Sequence, residues 1–523
     1  MSRTRRIIGA TAVGYLHQAT IVVVGLWLTP FLLRRIGQHD LGLWLVAGQL
    51  LGYLALMDLG VIAILPREVA FASGQQGIDT TAHIAELIAS VRRIVRWQLV
   101  GLAAACVGVW LLLPAEWESL RWPLAWVFAA FVACYPLRIP AAALQGLQDL
   151  PFLAKVQMVG WALSTAVTIL LVLFGARLSA LVAGWVAGLT VPAVAATWRL
   201  RHHWRLPHNT AGSRAIRPYF SHSMWVSVSQ IAQVLVNGSD VLLVGKLLGA
   251  GAVVPYSCTG KLITVFANHP QLLMHAAQPA LTELRAAGRR EHLASVSMML
   301  SQAMLIMSGA LVVVIIPVNQ FFVHWWVGTA QYGGTALTLA FALMMLLRHW
   351  NVAVVYTLFC FGYERQLSMT SLFDGIVAVA ATPILVMKFG AIGAPIASML
   401  GVAVVSLPVN LRSVALEMGL DIRAFLRPFA TLLALIVTTT SAAVAATVWV
   451  APTRFLPTVM TVALMAACYS AIMVPLVWRS PLRNYIDAGL ISVFRRRSPA
   501  DEQAAADQGL EPASVAYAGP KNG

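Results

Sequence analysis

Charge is scarce in this sequence. Only 11% of its 523 residues are Asp, Glu, Lys or Arg, whereas 59% are hydrophobic, and mean hydropathy is +0.77. That balance excludes a soluble globular enzyme and leaves an all-α polytopic membrane protein. Acids are scarcer than bases, and the formal net charge is +16. In a soluble chain such an excess would point to nucleic acid, but here the bases gather in loops on one side, so no nucleic-acid partner is expected. Cysteine is also rare. Cys106, Cys134, Cys258, Cys360 and Cys468 all fall inside apolar runs, with no C-x-x-C pair and no histidine at ligand spacing. They are expected to pack as small apolar residues, with no metal and no cofactor.

Motifs that would mark an enzyme are missing. There is no G-x-x-x-x-G-K-[ST] loop; the TGKL beginning at Thr259 lacks the preceding glycine loop and lies in an apolar run. H-E-x-x-H and G-x-S-x-G are absent as well. Asn237-Gly238-Ser239 matches a glycosylation acceptor but sits within a helical stretch. The outside loops are short, leaving no room for a catalytic domain, so the chain is not expected to be an enzyme.

What the sequence does have is long apolar runs. Runs of about 20 residues or more predict spans. Fourteen are expected, at 7–33, 41–65, 96–114, 122–147, 151–174, 178–198, 220–247, 252–280, 295–317, 335–361, 367–388, 391–411, 428–450 and 457–478. The first is too long for a signal-peptide core and lacks a cleavage site. With the N-terminus inside, Arg34, Arg35, Arg121, Arg177, Lys246, Lys388 and Arg454 fall outside, and Arg138, Lys261 and Arg348 fall within spans. The other basic residues are cytoplasmic, as the positive-inside rule requires, which places both termini in the cytoplasm. The 66–95 stretch reads as a long loop with a surface helix. From residue 498 the polar, proline-dotted tail is expected to be disordered. Trp110, Trp117, Trp122, Trp325, Trp326, Trp449 and Trp478 lie near span ends and read as interfacial anchors. Gly48/Gly52, Gly184/Gly188 and Gly245/Gly249 permit close helix approach. Pro136, Pro140, Pro255 and Pro270 can kink spans 4 and 8.

Two polar stripes interrupt this apolar chain. Ser223, Ser227, Gln230, Asn237 and Asp240 share one face of span 7; Ser257, Lys261, Thr264, Asn268, Gln271, His275 and Gln278 recur at helical spacing in span 8. Lipid cannot satisfy such stripes, so they predict a wet cavity. The same hairpin marks an internal repeat: at an offset of 212 residues, Gln18, Arg34, Gly37, Gly48 and Leu50 meet Gln230, Lys246, Gly249, Gly260 and Leu262. The organisation read from this is a six-helix bundle over 1–198, a basic linker at 199–219, a second six-helix bundle over 220–411, two added helices within 412–478 and a tail at 479–523.

Three bases of one sign inside a membrane need a reason. Each can instead form an ion pair or snorkel. Arg348, mid-span, is the poorest candidate for snorkelling; Arg138 shares a face with Tyr135, Gln145 and Asp149; Lys261 lies at the depth of Asp240, with which it can pair. The acids Asp58, Asp240 and Asp374 can each carry a proton or sodium ion. Capping, or pairing with Arg67 or Arg365, is favoured for Asp58 and Asp374, which read as near the cytoplasmic surface. His17, His222, His275 and His349 receive no assigned role.

The run from Gly37 to Ala70, with an aromatic-rich helix start, Leu-x-Asp-Leu-Gly ending at Gly60, and then Arg67, resembles the second-helix signature of Wzx-type polysaccharide and lipid-linked oligosaccharide flippases. The hairpin carrying Asp240, Gly249 and Tyr256 resembles the seventh and eighth helices of the same group, in the multidrug/oligosaccharidyl-lipid/polysaccharide (MOP) exporter superfamily. The resemblance implies two six-helix bundles in a V around a cationic cavity for an anionic lipid-pyrophosphate sugar, plus two C-terminal helices. On it rest the expectations for function: flipping of polyprenyl-pyrophosphate-linked oligosaccharide across a bacterial inner membrane for O-antigen, capsule or exopolysaccharide. A polymerase, glycosyltransferases and membrane lipid are the expected partners. Expected substrate contacts are Arg348, Lys261, Arg138, Gln230, Asn237, Asn268 and Gln271, and expected ion-coupling residues are Asp240, Asp58 and Asp374. The alternative is an ion-coupled multidrug or metabolite antiporter of the same superfamily.

Overall fold

The structure, a computed structural model, describes residues 3–56, 60–74, 80–203, 217–288, 290–450, 453–478 and 483. Its helices are α1 (Arg3–Ile36), α2 (Gln38–Ala55), α3 (Val61–Gly74), α4 (Thr80–Leu111), α5 (Glu118–Cys134), α6 (Arg138–Gly146), α7 (Leu150–Leu173), α8 (Arg177–His203), α9 (Arg217–Leu247) and α10 (Ala250–Thr259). After these come α11 (Lys261–Phe266), α12 (Asn268–Ala286), α13 (Arg290–Val327), α14 (Thr335–Cys360), α15 (Glu364–Phe389), α16 (Gly393–Gly401), α17 (Leu407–Glu417), α18 (Ile422–Val450) and α19 (Phe455–Trp478). By packing, the chain divides into Met1–Ala466 and Ala467–Gly523. Asp58, most of the linker and the tail lie outside the described residues.

Among the described residues ten helical stretches are long and apolar enough to cross a membrane, or eleven if a bent pair is one span. One of them, Glu364–Glu417, doubles back: α15 ends at Phe389, Gly390 turns with φ of 64°, and α16 returns along α15. The expected loop at 66–95 is largely helix instead, because α3 runs to Gly74 and α4 starts at Thr80 and continues into the membrane.

Polar contacts sort the helix ends into two sets. At one end Asp40 pairs with Arg177 at 2.9 Å, and Gln38 Nε2 donates to the Gly251 carbonyl at 2.7 Å. Gln331 Nε2 donates to Gln38 Oε1 there at 2.9 Å. At the other end Arg199 pairs with Asp149 at 2.9 Å, Arg285 donates to the Cys360 carbonyl, and Tyr363 donates to Glu417 at 2.6 Å. The Glu417 hydrogen bond, with burial a smaller cause, raises the Tyr363 phenol above its ordinary pKa, which keeps it a neutral donor. Successive spans, as distinct from the pieces of one broken span, therefore run in opposite directions, as the hydropathy pattern requires.

The repeat is visible in backbone geometry. Gly37 and Gly249 precede α2 and α10 with φ, ψ of 88°, 164° and 87°, 156°, a conformation that excludes most side chains. The helix after the first turn, α2, runs unbroken to Ala55, whereas the one after the second, α10, stops at Thr259 and α11 continues to Phe266. These two arms pack on each other so tightly that a Cβ on Gly42 would overlap the Ala250 carbonyl. Gly184 and Gly188 likewise bring α8 onto α7, whereas nothing lies near Gly48 or Gly52.

Two groups of side chains depart from expectation. Trp122, Trp325, Trp449 and Trp478 are exposed, but Trp117 and Trp326 are core residues, the latter donating to the Leu26 carbonyl. Four cysteines are buried as expected; Cys468 is exposed.

Candidate functional site

Span 8 is not a rod. Gly260 separates α10 from α11 with a 51° bend, and Ala267 separates α11 from α12. Pro255 and Pro270 flank these breaks, each lacking the N–H that an unbroken helix would use. The bend is held from outside: Asn319 Nδ2 donates to the Thr259 carbonyl at 2.9 Å, and the Gly333 N–H donates to Thr259 Oγ1 at 2.8 Å. Beyond the break, Ile263, Pro270, Met274 and Leu281 are buried on one side. Thr264, Asn268 and His275 are exposed on the other, with Lys261, Gln271 and Gln278 half-buried. The polar stripe therefore stays on an open face despite the breaks. His275 meets Tyr356 Oη of α14 at 2.9 Å.

Arg348 lies elsewhere. Its Nε and Nη2 donate to Ser398 Oγ at 3.2 and 2.6 Å, and its Nη1 is 3.5 Å from Asp374 Oδ2. Ser406 Oγ donates to the same carboxylate oxygen at 2.8 Å. Ser406 closes a π-helical turn, Val402–Ser406, that separates α16 from α17. Such turns shift side-chain register by about one residue and often occur at functional sites. Asp374 Oδ1 is buried with no hydrogen-bond partner among the described residues. Asp240 of α9 is within electrostatic reach of Arg348 and accepts from Tyr256 Oη at 3.1 Å. Next to it Tyr53 of α2 hydrogen-bonds Ser239. Two carboxylates thus converge on one guanidinium. The Arg348 side chain is 19% exposed and Asp374 only 3%, so the arginine keeps an open edge while the acid is sealed.

Several expectations are corrected by this cluster. Asp374 does not pair with Arg365 near a surface; it is deep, because α15 and α14 place it beside Arg348. Among the described residues no ion pair joins Asp240 to Lys261: Tyr256 is the nearer partner and Arg348 the cation that Asp240 senses. In α6, Arg138 lies over the Tyr135 ring at 5.5 Å, but Asp149 is taken by Arg199. Gln230 is half-buried on α9, and the side chain of Asn237 lies outside the described residues, as does Asp58. The sequence reading passed over Ser398, Ser406 and Tyr53. It also passed over the buried Asn410, which donates to Asn351 Oδ1 at 2.9 Å. Ser398 and Ser406 stand singly in an apolar stretch, with no polar stripe around them to mark a contact. His349, left without a role, is buried against Ser308 at 2.7 Å.

Comparisons with known proteins agree with this architecture. Residues 124–332 match the family described as polysaccharide biosynthesis protein. A putative O-antigen transporter of Shigella flexneri is 20% identical over 268 residues, covering 49% of this chain and 62% of that protein, less than two thirds of it. The structure of lipid II flippase MurJ in an inward closed conformation is similar with a TM-score of 0.61 and 11% identity, covering 90% of this chain and 100% of that one. The inward-facing conformation of a multidrug resistance MATE family transporter of the MOP superfamily gives a TM-score of 0.55 at 12% identity, covering 74% and 93%. At these identities the structures establish a common fold. The matches to a polysaccharide biosynthesis family and to a putative O-antigen transporter agree with the resemblance read from the sequence.

Proposed function

We propose that this Wzx-like protein with the MOP exporter fold is a flippase for polyprenyl-pyrophosphate-linked oligosaccharide, acting by alternating access in a bacterial inner membrane with both termini in the cytoplasm. The supporting observation is the open polar face of the broken arm: Lys261, Thr264, Asn268, Gln271 and His275 lie on one side of a chain whose neighbours are membrane-spanning helices. Hydroxyls and amides match sugar hydroxyls, and Lys261 supplies a cation for pyrophosphate in a low-dielectric setting. Arg138, Gln230, Asn237 and the open edge of Arg348 complete the proposed substrate contacts. Fourteen crossings are inferred, counting α2–α3 and α9 besides the stretches long and apolar enough by themselves. The repeat-related bundles, 1–198 and 220–411, would rock about the seam where α2 meets α10.

Asp240 is the first candidate for ion coupling, followed by Asp374 and Asp58. One buried and one half-buried carboxylate near one arginine leave one negative charge over, which a proton or monovalent cation on Asp240 would balance. That same pair of deep acids is the observation favouring a second reading, an antiporter of cationic drugs or metabolites. Flipping assayed in proteoliposomes with a fluorescent lipid-linked oligosaccharide tests the choice. Transport lost in a Lys261→Ala, Arg348→Ala double variant supports the flippase; transport intact in that variant defeats the cationic-site account. A polysaccharide polymerase and glycosyltransferases are the partners this function calls for.

A further inference from the structure

The helices α4 and α5 face each other with small residues yet do not close. Ala125, Ala129 and Ala133 form an i, i+4, i+8 row on α5, opposite Ala103, Cys106, Val107 and Trp110 of α4. Small residues in facing rows normally draw membrane helices together. Here they leave an apolar slot of about 400 Å³ instead. Along α5 the alanine row covers about 12 Å at ~1.5 Å per residue, a path fit for one hydrocarbon chain. At the end of the slot that carries the Gly37 and Gly249 turns, the Arg121 guanidinium lies over the Trp110 ring, 4.4 Å from its centroid. The indole N–H of Trp110 donates to the Arg121 carbonyl at 3.0 Å, and Trp122 packs edge-on against Trp110. An exposed cation is thereby pinned above an apolar slot, with indoles at the interface where they anchor. Glu116 and Glu118 precede it, but among the described residues neither pairs with Arg121.

We infer that this slot is a binding site for an anionic diacyl phospholipid: one acyl chain lies along the Ala125, Ala129, Ala133 row, and the headgroup phosphate is met by Arg121. The charge at the mouth decides the lipid class, and the apolar lining decides that a chain rather than a headgroup fills the interior. The site is separate from the polar arm of α10–α12 and from the Arg348 cluster, so it is not part of the proposed transport path.

The test is native mass spectrometry, with lipid extraction, of the full chain equilibrated in nanodiscs holding equal amounts of phosphatidylglycerol and phosphatidylethanolamine. The wild type is expected to retain one phospholipid, with phosphatidylglycerol favoured about fivefold, as expected of one interfacial arginine (~1 kcal/mol). Ala129→Phe should fill the slot and abolish retention; Ala129→Leu guards against misfolding and should weaken it. Arg121→Gln should keep a lipid and lose the preference. Retention unchanged in both Ala129 variants overturns the site. Equal retention of the two lipids by the wild type overturns the assignment of the ligand.

Discussion

The hairpins at Gly37 and Gly249 share a turn geometry, but the helices around them carry different chemistry. In the first half, the intramembrane arginine of the fourth span, Arg138, lies on an aromatic ring, Tyr135, which itself donates to Gln98 of α4. In the second half, the arginine of the equivalent span, Arg348, is held by an acid from α15 and a serine from α16. Span 5 has no Asp or Glu between Leu150 and Phe174, whereas its counterpart has Asp374. A duplicated backbone therefore holds its arginine on an aromatic ring in one half and against a carboxylate in the other. On the proposed function, charge movement would belong to the second half, and the seam between the repeats, α2 against α10, would be the shared moving part.

The largest effect should come from breaking the charge balance. Arg348→Ala or Asp374→Asn removes one partner of a buried pair, and losses of this kind cost about 3–5 kcal/mol. Thermal unfolding in detergent should show both single variants strongly destabilised and the Arg348→Gln, Asp374→Asn double variant substantially recovered. Equal destabilisation of single and double variants would mean that the pair is not a pair.

The seam comes next. Gly42→Val places a side chain where the Ala250 carbonyl lies, at the position whose repeat partner is Val254. Closure of α2 on α10 should fail, transport should fall at least about tenfold (~1.4 kcal/mol), and a cysteine placed at Gln38 should become reactive from that side of the membrane. Unchanged reactivity would show that the two arms do not part.

Lys261→Ala should weaken substrate binding about tenfold, the value of one charge-assisted contact at ~1.5–3 kcal/mol partly offset by neighbouring donors. Arg138→Ala sharpens the comparison: a similar loss would bring the first half into the substrate site, and no loss would confine the site to the second. The smallest effect is expected from Tyr363→Phe, which removes one surface hydrogen bond to Glu417 and should cost about 1 kcal/mol or less in the same unfolding assay.

Much of the fold was legible because membrane helices must be apolar, and because the turns between them need particular residues. The spans, the repeat at Gly37 and Gly249 and the kinks near Pro136 and Pro255 all follow from that. The polar stripe of span 8 was legible for the same reason: Lys261, Asn268 and Gln271 recur at helical spacing in an apolar background. The partner of Arg348 was not. Asp374 lies near a span end in sequence, but α15 starts at Glu364 and carries Asp374 inward by ten residues, about 15 Å at ~1.5 Å each. The contacts of Ser398 and Ser406 depend on a π-helical turn that no periodicity announces. Length was misread where polar helices continue past the membrane, as in α4, since hydropathy marks the apolar part of a helix and not its end.

The most direct test of the account is equilibrium binding of a polyprenyl-pyrophosphate-linked oligosaccharide to the purified protein, with Lys261→Ala as the variant and a cationic drug as competitor. Binding that weakens about tenfold in the variant and ignores the drug is the result predicted for an anionic substrate on the α10–α12 arm. Binding of the drug in place of the lipid, unaffected by Lys261→Ala, would contradict it and shift the transport site to Asp240 and Asp374.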